Sequence, residues 1–123
     1  MNAPDVVVYL QTFTDAFDRA EAIHLALRQL ARDVRRDLAV LSEVAWLAHV
    51  EGTWSKVKRP DGRPYETEEA FYEEGLALGS FRSIYRYLAA GRVIAASAED
   101  ERPAVRRAVA EIGVAKVAVV APA

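Results

Sequence analysis

Two arginines four positions apart carry the clearest chemical signal in this sequence of 123 residues. Arg82 and Arg86 share one face of any helix that contains both, because side chains at positions i and i+4 are neighbours. A guanidinium can donate two parallel hydrogen bonds to a phosphate, or to the O6 and N7 atoms of guanine. Tyr85 adds a hydroxyl that suits a phosphate and a ring that suits a thymine methyl group. Together these side chains indicate contact with double-stranded DNA.

The segment before the arginines has the layout of a helix-turn-helix. Thr67 is a suitable N-cap for a short helix, which we expect to end near Gly75. A glycine-containing turn follows, and Ser80 then caps a second helix that carries Ser83 near its start. Hydroxyls at a helix N-terminus lie where the helix dipole favours phosphate. We therefore place a helix-turn-helix at residues 67–96, with its second helix in the major groove.

A basic stretch precedes this unit, in residues 52–66. Pro60, Asp61 and Gly62 predict a turn, because proline fixes φ and glycine supplies a positive φ. The flanking residues form either a small hairpin or a loop. Four cations there are candidates for sequence-independent contact with phosphates, which weakens with salt: Lys56, Lys58, Arg59 and Arg63.

The chain resembles helix-turn-helix regions of bacterial, plasmid and phage DNA-binding proteins over about residues 46–120. Three stretches carry the resemblance: residues 46–50, the acidic, aromatic helix at residues 67–75 and the serine-capped helix from Ser80 with its Tyr85-Arg86 pair. Residues 112–116 are similar to a segment that often follows in that family. The resemblance implies an all-helical domain that binds DNA, often as a dimer or beside a partner domain.

Residues 1–51 form an amphipathic helical region. Their apolar positions recur every three or four residues, which predicts either one long helix or two helices broken near residues 37–42. We expect the apolar seam to mediate self-association, since dimeric helix-turn-helix proteins bind two half-sites. The seam consists mainly of Phe13, Phe17, Leu27, Val34, Leu38 and Leu41.

The C-terminal segment, residues 102–123, predicts a helix that ends at Gly113. Residues 114–121 form either a last helix or a strand that pairs with residues 6–10. The arginines at 102, 106 and 107 are either further phosphate contacts or a solvated helix face. The whole chain is thus expected to be one all-α domain of about five helices around a central helix-turn-helix, with a short terminal strand pair left open.

Composition excludes several function classes. The chain has no cysteine and two histidines, and its spacing shows no nucleophile–base set. We therefore predict no enzyme, no cofactor and no metal site. No apolar run approaches the roughly 20 residues needed to span a membrane, and we expect a cytoplasmic protein. The net charge of −2 means that DNA binding must rely on a local basic patch.

The leading prediction is a homodimeric DNA-binding protein with a role in regulation or in plasmid or phage maintenance. The alternative is a helical module that docks a protein partner through its N-terminal amphipathic region. Five glutamates in residues 66–79 oppose the first prediction unless they face away from the DNA. Whether the chain is a piece of a longer protein stays open.

Overall fold

The computed structural model describes residues 3–31, 38–76 and 81–112. Within these ranges the chain is helical, with a single isolated β-bridge between Lys58 and Pro64 and no longer strand pairing. The all-α prediction is confirmed. The helices are α1 (Ala3–Gln11), α2 (Ala16–Ala31), α3 (Leu38–Glu51), α4 (Glu68–Ala70, continued by a π-helical turn over Phe71–Gly75), α5 (Phe81–Ala96) and α6 (Arg102–Ile112).

The N-terminal strand option is wrong, because residues 6–10 belong to α1. Leu10 is fully buried there, and Val6 and Val7 pack partly against the same core cluster. Side chains spaced by three and four residues reach one core only in a helix, and this packing overrides the strand preference of valine. Residues 114–121, the other half of the expected pair, lie outside the described residues.

Residues 16–51 contain two helices, α2 and α3, that pack on each other. Ala20 and Leu27 of α2 share a core cluster with Leu41 and Ala48 of α3. Leu27 and Leu41 of the predicted seam are therefore buried within the chain and are not available to a partner. Phe17 is an exception, since it is 63% exposed and does not join the core. Residues 32–37, where the two helices are connected, are outside the described ranges.

The corner between α1 and α2 is closed by hydrogen bonds. The Asp15 carboxylate accepts bonds from the backbone N–H groups of Phe17 and Asp18, at 3.0 and 2.9 Å, and so caps α2. The Arg19 guanidinium donates to the carbonyl oxygen of Phe13 at 2.8 Å and to the Glu51 carboxylate at 3.1 Å. These bonds fix α1 and the end of α3 relative to α2.

The crossing of α3 and α5 is the most extensive helix contact in the described structure. A Cβ atom added at Gly91 would meet the carbonyl oxygen of Ser42 and would lie 2.7 Å from the Cβ atom of Trp46. Ile84, Leu88 and Ile94 pack on the same side of α5 and are almost fully buried. The crossing therefore determines which face of α5 turns inward and which stays exposed.

We predict that Gly91→Ala lowers the free energy of unfolding by about 1–3 kcal/mol, because the added methyl group overpacks a helix crossing formed by backbone atoms. The sign of this change in the free energy of unfolding distinguishes a close crossing from an open helix surface. In an open helix interior the same substitution stabilises by about 0.5–1 kcal/mol, since glycine loses more entropy on folding. Urea denaturation of both proteins measures the difference, and a stabilised variant would contradict the close crossing.

Candidate nucleic-acid interface

The first helix of the predicted helix-turn-helix is short and firmly anchored. Thr67 caps it as expected, since its hydroxyl accepts a hydrogen bond from the Ala70 N–H at 3.1 Å. Phe71 and Tyr72 follow in the π-helical turn, and both are almost completely buried in the main core. The helix ends at Gly75, where an added Cβ atom would lie 3.0 Å from the Tyr65 ring carbon Cζ. Aromatic packing thus fixes the position of α4 and its π-helical turn.

The exposed face of α5 carries two of the predicted DNA-binding residues. Tyr85 is 46% exposed and Arg86 is exposed beside it, whereas Ser83 is half-buried. Ile84 and Leu88 face the core, as the helical spacing predicts. Residues 77–80, which include Ser80 and the predicted turn, lie outside the described residues, as does the side chain of Arg82.

The sequence of α5 itself is basic. Its 16 residues contain three arginines and neither aspartate nor glutamate. The crossing with α3 buries one side of this helix, and among its described side chains Tyr85 and Arg86 lie on the exposed side. Such a face can accept a phosphate backbone, and it can carry planar donors into a groove.

Two of the glutamates that oppose DNA binding are engaged by basic side chains. The Oε1 atom of Glu68 lies 2.9 Å from Nδ1 of His49 on α3. The carboxylate of Glu74 lies 2.6 Å from Nη1 of Arg59 in the basic stretch. The pair of Glu74 and Arg59 compensates one negative charge of residues 66–79, and both contacts tie this segment to its neighbours. Sequence spacing gave no sign of either pair, since the partners are 19 and 15 positions apart.

The basic stretch forms a miniature hairpin. The N–H of Arg59 donates to the carbonyl oxygen of Arg63 at 2.8 Å, and the N–H of Gly62 donates back to the carbonyl oxygen of Arg59 at 2.9 Å. Gly62 has a φ of 86°, the conformation for which glycine was expected here. Of the two open alternatives, the structure contains the hairpin, reduced to a tight turn and one bridge between Lys58 and Pro64.

The four cations of this hairpin have different surroundings. Lys56 donates to the carbonyl oxygen of Glu51 at 2.6 Å and so caps the C-terminus of α3. Arg59 pairs with Glu74, and its guanidinium carbon lies 5.2 Å from the centre of the Tyr65 ring. Lys58 and Arg63 are exposed. Lys56 and Arg59 therefore have roles within the fold that the sequence did not reveal.

The C-terminal arginines also separate into residues with contacts inside the fold and an exposed residue. Arg106 forms a two-bond fork with Glu43, from Nε at 2.8 Å and from Nη2 at 2.9 Å. Both side chains of this pair are largely buried. Arg102 donates to the carbonyl oxygens of Ala95 and Ser97, at 3.1 and 3.2 Å, and caps the end of α5. Of the three, Arg107 is exposed, whereas Arg102 and Arg106 are partly buried.

Two ionisable groups in the core have pKa values shifted by burial. Burial lowers the pKa of His24, and the positive charge of Arg28 lowers it further, against a smaller effect of Glu21. Burial also raises the pKa of the Tyr72 hydroxyl, with a contribution from Glu68. Both shifts favour the neutral form of the side chain. The His24 ring stacks near Phe71 at 5.3 Å, in keeping with a packed core residue.

No family model, no curated protein and no solved structure matches this chain. The resemblance to helix-turn-helix proteins therefore remains a prediction from the residues named above. Among the described residues, no helix is both long enough and apolar enough to cross a membrane. The same residues contain no cluster of three or more potential metal ligands from histidine, aspartate and glutamate.

We predict that Arg106→Met destabilises the fold by about 3–5 kcal/mol, because it leaves the buried Glu43 carboxylate without its partner. Arg107→Met, the same change at the next, exposed position, should stay within about 0.5 kcal/mol of the wild type. Chemical denaturation of the two variants makes the comparison. Equal stabilities would show that the fork between Arg106 and Glu43 is not formed in solution.

Proposed function

We propose that this protein binds double-stranded DNA in a sequence-dependent manner, with α5 in the major groove. The observation that carries the proposal is the exposed Tyr85 and Arg86 on a helix that has three arginines and no acidic residue. The tight crossing with α3 holds the opposite side of α5 in the core. A helix presented in this way can enter a groove without losing its own packing.

Within this proposal the residues of α5 have distinct tasks. Arg86, with Arg82 one turn earlier, donates to guanine edges or clamps phosphates. Tyr85 contacts a phosphate or a thymine methyl group from the same face. Ser83, together with Ser80, donates to the DNA backbone near the start of the helix, where the dipole favours negative charge.

The hairpin supplies affinity without sequence preference. Lys58 and Arg63 are exposed and flank its turn, so we assign them to phosphate contacts. Lys56 and Arg59 were candidates for the same task, but their contacts with the end of α3 and with Glu74 favour a positioning role. In that role they hold the hairpin against the rest of the domain.

The proposal extends to the biological setting. We infer a non-catalytic protein without cofactor that acts in the cytoplasm, in transcription control or in plasmid or phage maintenance. These points rest on the composition and on the family resemblance.

We predict that Arg86→Ala weakens binding to the preferred DNA site by about 1–3 kcal/mol, the usual cost of losing a base-contacting arginine. The site is first selected by sequencing the fragments retained from a genomic duplex pool. Fluorescence anisotropy at about 50 and 200 mM salt then measures the affinity, which should fall with salt.

Of the two alternatives for the C-terminal arginines, the proposal takes the solvated helix face, so Arg107→Ala is the matched control: it removes the same charge from an exposed position on α6. Its affinity should stay close to that of the wild type. Equal losses in the two variants would indicate general charge attraction instead of recognition by α5. Salt-sensitive binding without an enriched sequence would leave only backbone contact, and no binding at either salt concentration would refute the proposal.

A second part of the proposal is self-association through α1 and α2. An apolar groove lies between these helices and is lined by Leu10, Phe13 and Leu25, among others. Leu25 is 56% exposed and Tyr9 is 53% exposed beside it. Phe13 of the predicted seam lines this groove, whereas Leu27 and Leu41 of the seam are buried in the core. It favours a homodimer, and it is also the surface that a protein-docking module would use.

We predict that Leu25→Asp shifts a homodimer to monomer, because it places a carboxylate in an apolar contact. Sedimentation equilibrium over a range of concentrations measures the change, and circular dichroism checks that the fold is kept. A wild-type protein that is monomeric throughout would refute the homodimer. Together with an absence of DNA binding, that result would favour the protein-docking module.

A further inference from the structure

We propose that a cavity between α1, α3 and the start of α6 binds a small, uncharged molecule with an apolar body. The cavity has a volume of about 440 Å³. Binding sites for small molecules commonly have about 300–1,000 Å³. The cavity lies apart from the exposed residues of α5 named above, so this proposal does not rest on DNA binding.

The walls of the cavity are mainly apolar. Val7 of α1, Trp46 and Leu47 of α3, and Pro103 of α6 line it, and each retains some exposure to solvent. At the rim, Val8 and Val50 are each 62% exposed. Exposed valines beside a half-buried tryptophan leave apolar surface in water, and a ligand with an apolar body would remove that surface from water.

The charges that line the cavity balance. Glu43 is bonded to Arg106 in the two-bond fork, and Glu99 and Arg102 form the second set of opposite charges in the lining. Two acidic and two basic groups leave no net charge to attract an ion. The Arg106 guanidinium is bonded to Glu43 and the Arg102 guanidinium to carbonyl oxygens at the end of α5, so an ionic ligand would lose its hydration without gaining a net counter-charge. The lining therefore selects for an uncharged molecule.

The fork also provides a polar anchor in this wall. It uses Nε and Nη2 of Arg106, so Nη1 takes no part in the bonds to Glu43. Gln11 adds an amide group to the lining from the end of α1. Both groups can donate to the carbonyl oxygen of an ester, amide or lactone. A few polar groups among apolar walls are typical of sites that orient a small ligand.

The cavity differs from the apolar groove between α1 and α2 in one important respect. The lining of that groove includes Asp18 and Glu21 but no basic residue. It therefore lacks both the charge balance and the guanidinium donor. This contrast supplies a control, because a probe that only seeks apolar surface would bind either place.

The test uses two fluorescent probes that differ in a single group. N-phenyl-1-naphthylamine is uncharged, whereas 8-anilino-1-naphthalenesulfonate has the same rings with a sulfonate. We predict saturable, one-to-one binding of the uncharged probe, at least about tenfold tighter than binding of the sulfonate, which corresponds to about 1.4 kcal/mol. Excitation of tryptophan should transfer energy to the bound probe, and Trp46→Phe should reduce this transfer more than Trp54→Phe.

Two variants locate the site. Val50→Asp puts a carboxylate at the rim of the cavity and should weaken binding of the uncharged probe about tenfold or more. Leu25→Asp makes the same kind of change in the other groove, which shares no lining residue with the cavity, and it should leave the affinity per chain unchanged even where it dissociates the proposed homodimer. Both positions are largely exposed, so both variants should fold, and their thermal unfolding verifies this.

Three results would overturn the proposal. The first is an absence of saturable binding to the wild-type protein. The second is equal or tighter binding of the sulfonate probe, which would contradict selection for uncharged molecules. The third is loss of binding in Leu25→Asp but not in Val50→Asp, which would move the site to the groove between α1 and α2.

Discussion

The close crossing of α3 and α5 is the constraint on which the rest of the structure depends. Gly91 lets the two backbones approach, because any side chain there would meet the carbonyl oxygen of Ser42. Once the crossing is made, the helical period places Ile84 and Leu88 inside and Tyr85 and Arg86 outside. The exposed chemistry of α5 is thus a consequence of packing on its other side, and a wider crossing would release that orientation.

Polar contacts between side chains that are distant in sequence complete the arrangement. Glu43 of α3 holds α6 through Arg106, and His49 near the end of α3 contacts Glu68 of α4. The buried pair of Glu43 and Arg106 gives little net stability, because desolvation opposes the attraction between its charges. The pair nevertheless requires a precise position of α6, since a buried Glu43 carboxylate without both bonds from Arg106 would destabilise the fold. We therefore interpret these pairs as fixing the positions of α4 and α6 around α3.

The sequence predicted the local features of the fold and missed the distant ones. Thr67 as a cap, the end near Gly75 and the inward face of α5 all follow from interactions within a few residues, which spacing can show. The strand option for residues 6–10 was wrong because valine preference was overridden by packing. The partners of Arg59 and Arg106 lie 15 and 63 positions away. No periodicity links such positions, so only the folded chain shows which cations are engaged.

The cavity and the proposed DNA-binding face involve the same rigid element. Ala95 lines the cavity near the end of α5, and Arg86 lies nine residues earlier, about 14 Å along a straight helix. Arg102 lines the cavity too and caps α5 through its carbonyl oxygens. Proximity alone does not couple two sites, since a ligand shifts an equilibrium only by its difference in affinity for two states. A ligand in the cavity would affect DNA binding by α5 only if it bound more tightly to one position of the Arg102 side chain. That guanidinium is the link, because it bonds the end of α5 and also lines the cavity.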